Sequence, residues 1–195
     1  MAFTFVDMKK WFASLLFKLY GWKLVGEIPK TLKKYVLIAA PHTSNMDFFL
    51  AMPSMWSLGV KGKYLIKKEH VDTPYGFLIK WMGGIGVDRK KTSIDFVNQL
   101  KQIVAEHDEL AMLFTPEGTR KQVKKWKTGF YRVAIAVDVP IVLAYADYKK
   151  KEVFIGHVFH PSGDFEKDFT YMENFYKNIP AKYPEDYNPQ IFIRE

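Results

Sequence analysis

A single α/β domain is the expected fold: a largely parallel, twisted sheet flanked by helices, with an amphipathic N-terminal helix in front. Three observations lead there. Short apolar runs of strand length alternate with segments of helical period. The 195 residues suffice for one domain with a real core. No internal repeat or low-complexity stretch breaks the chain into smaller units. The chain divides into an N-terminal helical segment, 1–24, and a domain spanning 25–195.

In the first twenty residues Met8, Trp11, Phe12, Leu15, Leu16 and Leu19 follow helical spacing, with Lys9, Lys10 and Lys18 off that stripe. The uncharged run 11–17 is too short to span a bilayer, and no small-residue cleavage site follows it. Two alternatives stay open: the helix packs on the domain, or it lies in a membrane interface. Residues 35–40 read as a buried strand and 48–58 as a helix in which Pro53 predicts a kink or restart. A short strand at 63–66, a compact helix at 74–82 opened by Pro74, and a turn and strand in 83–89 come next. Ser93 to His107 reads as the clearest helix, with Ile94, Val97, Leu100 and Val104 on one face. Strands at 110–114, 140–148 and 153–159 alternate with helices at 128–137 and 164–178, and a Pro- and Tyr-rich tail ends as loop or extended edge.

Composition narrows the chemistry. Cysteine is absent, which removes disulfides, thiol catalysis and Cys-ligated metal and suits a reducing, cytosolic setting. The five histidines are scattered without metal-ligand spacing, so no metal is expected. The net charge is +8, yet the chain from Ser162 onward carries seven acids against four bases. The excess therefore sits earlier, in clusters such as Lys67/Lys68, Arg89/Lys90/Lys91 and Arg120/Lys121. It suits phosphate-bearing partners or an anionic membrane surface. Nucleic acid is not expected, because no recognition motif appears and the aromatics do not interleave with the bases.

The stretch Pro41-His42-Thr43-Ser44-Asn45-Met46-Asp47 follows the strand at 35–40 and contains three helix-capping residue types. His42 then stands at a strand end and Asp47 in the first turn of a helix, where an ionised carboxylate is favoured. The bend lets the two meet, giving a general base with an orienting partner. No Gly-x-Ser-x-Gly elbow accompanies them. Arg89 and Arg120 also follow strands, so three strand ends would aim at one crevice.

Four blocks stand in order: His42 through Asp47, Lys67-Lys68-Glu69 running through Pro74 and Gly76 to Gly83 and Arg89, Pro116-Glu117-Gly118-Thr119-Arg120, and Val139 through Val142. Together they resemble the lysophosphatidate (1-acylglycerol-3-phosphate) acyltransferases, the glycerolipid acyltransferase family with the His-x4-Asp motif. Departures are Thr115, where the family more often has phenylalanine, His70 in place of leucine, and Gly86 in place of a bulky apolar residue. The resemblance implies direct transfer of a fatty acyl group from acyl-CoA or acyl carrier protein to the hydroxyl of a lysophospholipid, without an acyl-enzyme. No cofactor is implied beyond that co-substrate. It implies catalytic His42 and Asp47, and substrate contacts from Lys67, Arg89, Glu117, Gly118, Thr119 and Arg120. Arg89 and Arg120 are the phosphate candidates, since guanidinium grips phosphate in bidentate fashion. For Glu117 a role as buttress of Arg120 and the turn is expected ahead of substrate contact. Oxyanion donors are left open between the Gly118-Thr119 turn and the helix start near Asn45. The expected place is peripheral, on the cytoplasmic face of a membrane. Other acceptors, glycerol-3-phosphate or an aminolipid, and a non-catalytic binder of anionic lipid are the rival readings; a binder would need no His42/Asp47 pair.

Overall fold

The computed structural model describes residues 5–60, 62–87 and 93–193. A seven-stranded sheet forms in the order β1-β7-β6-β2-β5-β3-β4. The strands are β1 (Lys23–Val25), β2 (Lys34–Ala39), β3 (Gly62–Lys67), β4 (Gly84–Val87), β5 (Leu110–Phe114), β6 (Ile141–Asp147) and β7 (Glu152–Phe159). All pairings are parallel except β6 with β7. The helices are α1 (Phe5–Tyr20), α2 (Met46–Ser57), α3 (Lys68–Val71), α4 (Gly76–Trp81), α5 (Ser93–Ala105), α6 (Gly129–Ala136) and α7 (Phe165–Tyr176).

Both faces of the sheet are covered, which is why its central strands are apolar throughout rather than alternating. In β2, Val36 and Ile38 join the core on one face with Leu100, Phe130, Phe169 and Tyr176. Tyr35 and Leu37 join the core on the other face with Phe17, Leu50 and Met55. The domain is thus a three-layer α/β/α arrangement, as the alternating pattern predicts. Tyr176, fully buried on α7, ties the centre of the sheet together. Its hydroxyl donates to the Ile38 carbonyl and accepts from Ala144 N–H, both at 3.2 Å. This cross-brace lies just before the two strand ends that matter most, those of β2 and β6.

Several elements differ from expectation. Helix α2 runs through Pro53 without a break, and Ser54 Oγ caps the Leu50 carbonyl at 2.7 Å. The compact helix starts at Gly76, after Pro74 and Tyr75, and α3 precedes it. Ile94 is exposed, and α5 buries Leu100, Ile103 and Val104. Most of the expected stripe of α1 faces away from the domain, with Leu16 half-buried. Ala13 and Phe17 make the buried seam, while Met8, Trp11, Phe12, Leu15 and Leu19 are exposed, Trp11 by 60% and Leu19 by 70%. No helix among the described residues is long and apolar enough to cross a membrane.

Candidate active site

Five parallel strands deliver their carboxyl ends to one edge of the sheet. The chain leaves β2 through the cis Ala40-Pro41 bond and places His42 there. Ser44 Oγ accepts from Met46 N–H at 3.1 Å, turning the chain into α2. Asp47, on the first turn of α2, brings Oδ2 to 3.0 Å from His42 Nδ1 and also accepts from Ser44 N–H at 2.9 Å. Both side chains are mostly buried, with 19% and 12% exposure. The expected pair is therefore formed, and the bend between strand and helix forms it. With Nδ1 held by the carboxylate, Nε2 is the nitrogen left to meet a substrate. Asp47 has a second partner that no local pattern announces: the Tyr148 hydroxyl, just past β6, donates to Oδ1.

The next strand end supplies the rest. After β5 the chain turns at Thr115 to Arg120, with Gly118 N–H on the Thr115 carbonyl at 3.0 Å and Gly118 at φ 67°, a left-handed conformation suited to glycine. Arg120 is exposed, and its guanidinium donates to Asn45 Oδ1. Asn45 therefore does not cap α2 with its side chain; it couples the helix start to the arginine turn.

Glu117 corrects the expected buttress. Its carboxyl does not support Arg120. It is 5% exposed and turned inward, where Oε1 accepts from His42 N–H at 3.0 Å. Burial pushes its pKa up from 4.5 to about 7, against the lowering effect of its hydrogen bonds, its own backbone N–H and that of His42 among them. Its Oε2 is buried without a hydrogen-bond partner among the described residues, as is the Tyr187 hydroxyl, whose pKa the Glu117 charge helps to raise. Thr119 Oγ1 accepts from Lys121 N–H on the exposed side of the turn. Lys67 closes β3 on the same sheet edge, with its side chain outside the described part of the structure. Arg89 lies outside the described residues.

A cavity of about 850 Å³ opens at this edge. His42, Asn45, Asp47, Gly118 and Arg120 stand among its polar lining, and Phe48, Leu50, Met55, Ile79, Met82 and Leu113 form much of its apolar wall. Phe130, a core residue, touches it too, while Trp126 lies in the same core cluster. The amides of Ser44, Met46, Asp47 and Gly118 are all bound internally, which narrows the choice of oxyanion donors to the remaining ones nearby. The C-terminal tail straps this edge from outside. Tyr183 N–H donates to Thr43 Oγ1 at 3.2 Å, and Lys121 reaches Asp186 at 3.3 Å. Trp126 N–H donates to the Ile191 carbonyl at 2.8 Å.

A histidine paired with a carboxylate, an arginine at the rim and an apolar well thus meet at one sheet edge. The acyltransferase family model matches residues 23–145, and the chain belongs to that family. The family read from the four sequence blocks is thus the family that the match shows. Among solved structures, that of the 1-acyl-sn-glycerophosphate (LPA) acyltransferase PlsC from Thermotoga maritima has a similar fold, with a TM-score of 0.58. The two share 21% sequence identity over 87% of this chain and 76% of that one. No curated protein sequence matches the chain at a significant level.

Proposed function

We propose that this acyltransferase moves a fatty acyl group from the thioester of acyl-CoA or acyl carrier protein to the free hydroxyl of a lysophospholipid. The acceptor we favour is 1-acylglycerol-3-phosphate. The observation that carries the reading is the 3.0 Å contact of His42 with Asp47 at the mouth of an apolar cavity whose rim bears Arg120.

In this reading His42 Nε2 takes the proton of the acceptor hydroxyl as its oxygen attacks the thioester carbonyl. The carbonyl electrons move onto oxygen and return as the carbon–sulfur bond breaks. The thiolate leaves and recovers the proton from the imidazolium, which Asp47 stabilises meanwhile. Arg120 holds the acceptor's phosphate, fixing the neighbouring hydroxyl against His42. The apolar cavity takes an acyl chain; its volume falls within the roughly 300–1,000 Å³ usual for ligand sites. The exposed stripe of α1, Met8, Trp11, Phe12, Leu15 and Leu19, lies on an anionic membrane surface, and the enzyme is peripheral. Such a placement supplies the amphiphilic acceptor directly.

An acceptor screen tests the assignment. Purified protein is given labelled acyl-CoA or acyl carrier protein and a panel of lysolipids, glycerol-3-phosphate and monoacylglycerol, with product read by mass spectrometry. Diacyl product from 1-acylglycerol-3-phosphate is expected. Equal use of monoacylglycerol would show that phosphate is not what the site reads.

A further inference from the structure

We propose that Tyr148 is a positioning residue of the acyl-transfer site, its hydroxyl fixing the Asp47 carboxylate in the orientation that holds His42. The proposal rests on the reading of His42 as the base. Its grounds are geometric. Strands β6 and β2 are parallel neighbours, so the residue after Asp147 and the residues after Ala39 emerge side by side. The turn out of β6 is built to aim one side chain. The buried Asp147 carboxylate accepts from the N–H groups of Lys149 and Lys150, each at 2.9 Å, which fixes the backbone around Tyr148. The Tyr148 ring stands edge-on to the buried Trp22 ring, with centroids 5.0 Å apart. Its hydroxyl then has one direction to go, and it donates to Asp47 Oδ1.

The consequence is that both carboxylate oxygens are committed. Oδ2 accepts from Ser44 N–H and faces His42 Nδ1, while Oδ1 accepts from Tyr148. A carboxylate held at one oxygen swings about its Cβ–Cγ bond; held at both, it presents one edge to the imidazole. Burial and the Asp47 charge raise the pKa of the Tyr148 phenol well above its usual value, so it is a donor at every working pH and never a competing base. The donation also draws charge away from Asp47. It tempers how strongly the carboxylate favours the imidazolium. Among the described residues, the charged or titratable groups around this pair include Glu117 beneath His42, Arg120 through Asn45, Tyr183 of the tail beside Tyr148, and Lys127 and Arg132 in the lining of the same cavity.

Tyr148→Phe keeps the ring and its contact with Trp22 and deletes one hydroxyl. The expected result is a fall in kcat of about 10-fold, since a hydrogen bond to a charged group is lost, with KM for both substrates unchanged. The acid limb of the pH profile of kcat/KM should move to higher pH, because an Asp47 that has lost a donor stabilises the imidazolium more. A residue that only packs would move neither. In a His42→Ala background the same change should have no further effect, because Tyr148 acts through the imidazole. If His42→Ala stays active, the base reading fails and the proposal with it. If His42→Ala is inactive while Tyr148→Phe keeps the wild-type rate and limb, the proposal alone is overturned. A melting curve of each variant keeps folding apart from catalysis. Were Tyr148→Phe to melt early, Trp22→Phe serves instead, with the same shifted limb expected from a loosened ring and an unmoved limb counting against the proposal.

Discussion

Both carboxylate oxygens of Asp47 are engaged, by Ser44 N–H, His42 and Tyr148. Arg120, on the rim of the same cleft, is exposed, and among the described residues its side-chain partner is Asn45. The difference fits the roles proposed for the two residues. A general base acts over one hydrogen bond, and small misplacements of it are costly. A guanidinium that receives a phosphate from solvent or from a membrane needs its donors free until the ligand arrives. The floor is therefore mostly buried and bonded on several sides, and the rim is exposed.

Removing the floor should have the largest effect. His42→Ala is expected to lower turnover by roughly 100- to 10,000-fold, the range typical of general-base catalysis, with an unchanged melting temperature. Asp47→Ala should cost less, since in the proposed mechanism Asp47 orients and stabilises without taking the proton itself. Near-full acyl transfer by a folded His42→Ala protein would abolish the distinction between floor and rim.

The rim comes second. Arg120→Ala is expected to raise KM for a phosphate-bearing acceptor and to lower kcat, for a combined loss of about 10- to 200-fold in kcat/KM. Arg120→Lys should recover part of this, because an ammonium keeps the charge and loses the planar fork. With a monoacylglycerol the same substitutions should change little. A loss as large there as with the phosphate-bearing acceptor would make Arg120 part of the floor.

Much of the floor is legible in the sequence because its signals are local. Thr43, Ser44 and Asn45 mark a helix start, residues 35–40 mark a strand, and the six residues from His42 to Asp47 contain both catalytic candidates. Tyr148 is not legible, standing 101 residues from Asp47 and joined to it only by the pairing of β2 with β6. The inward turn of Glu117 is hidden for the same reason, since its partner is the His42 backbone 75 residues away. β1 has three residues and exists through its pairing with β7. The C-terminal strap has no period at all and is held by side chains and single backbone bonds. In α1 the period is plain and its direction is not. An apolar stripe does not say which of its residues the domain takes, and here α1 packs chiefly on α2 and buries Ala13 and Phe17 instead.

That stripe gives the third test, which asks how the rim meets its substrate. Trp11→Glu with Leu15→Glu places charge on two exposed side chains that the core does not use. Binding to anionic vesicles should fall by about 10-fold or more, as measured by flotation, with the melting temperature unchanged. Undiminished flotation would remove α1 as the membrane contact. A collapse in melting temperature would show that the stripe is packed after all.

The smallest change in rate is expected beneath the base, at Glu117. Its carboxyl has a folded-state pKa of about 7, above its ordinary 4.5, because burial disfavours the charge. Well below 4.5 the group is neutral in both folded and unfolded chains and has no effect on stability. Between about 4.5 and about 7 the unfolded chain ionises first, so the folded state progressively loses ground as pH rises. Above 7 the cost is complete, at roughly 3 kcal/mol as an upper bound from the size of the shift. The variant Glu117→Gln would keep an oxygen to accept from His42 N–H and would carry no charge at any pH. The NH₂ of the new amide would replace Oε2, an atom now buried without a partner among the described residues. Glu117→Gln should therefore keep turnover within a few-fold of wild type and melt at least as high above pH 7. Relative to wild type, its advantage should grow by several degrees between pH 5 and 8. An advantage that stays constant across that range would mean Glu117 is not held neutral by its surroundings. A loss of turnover approaching that of His42→Ala would move Glu117 from the support of the base into the reaction itself.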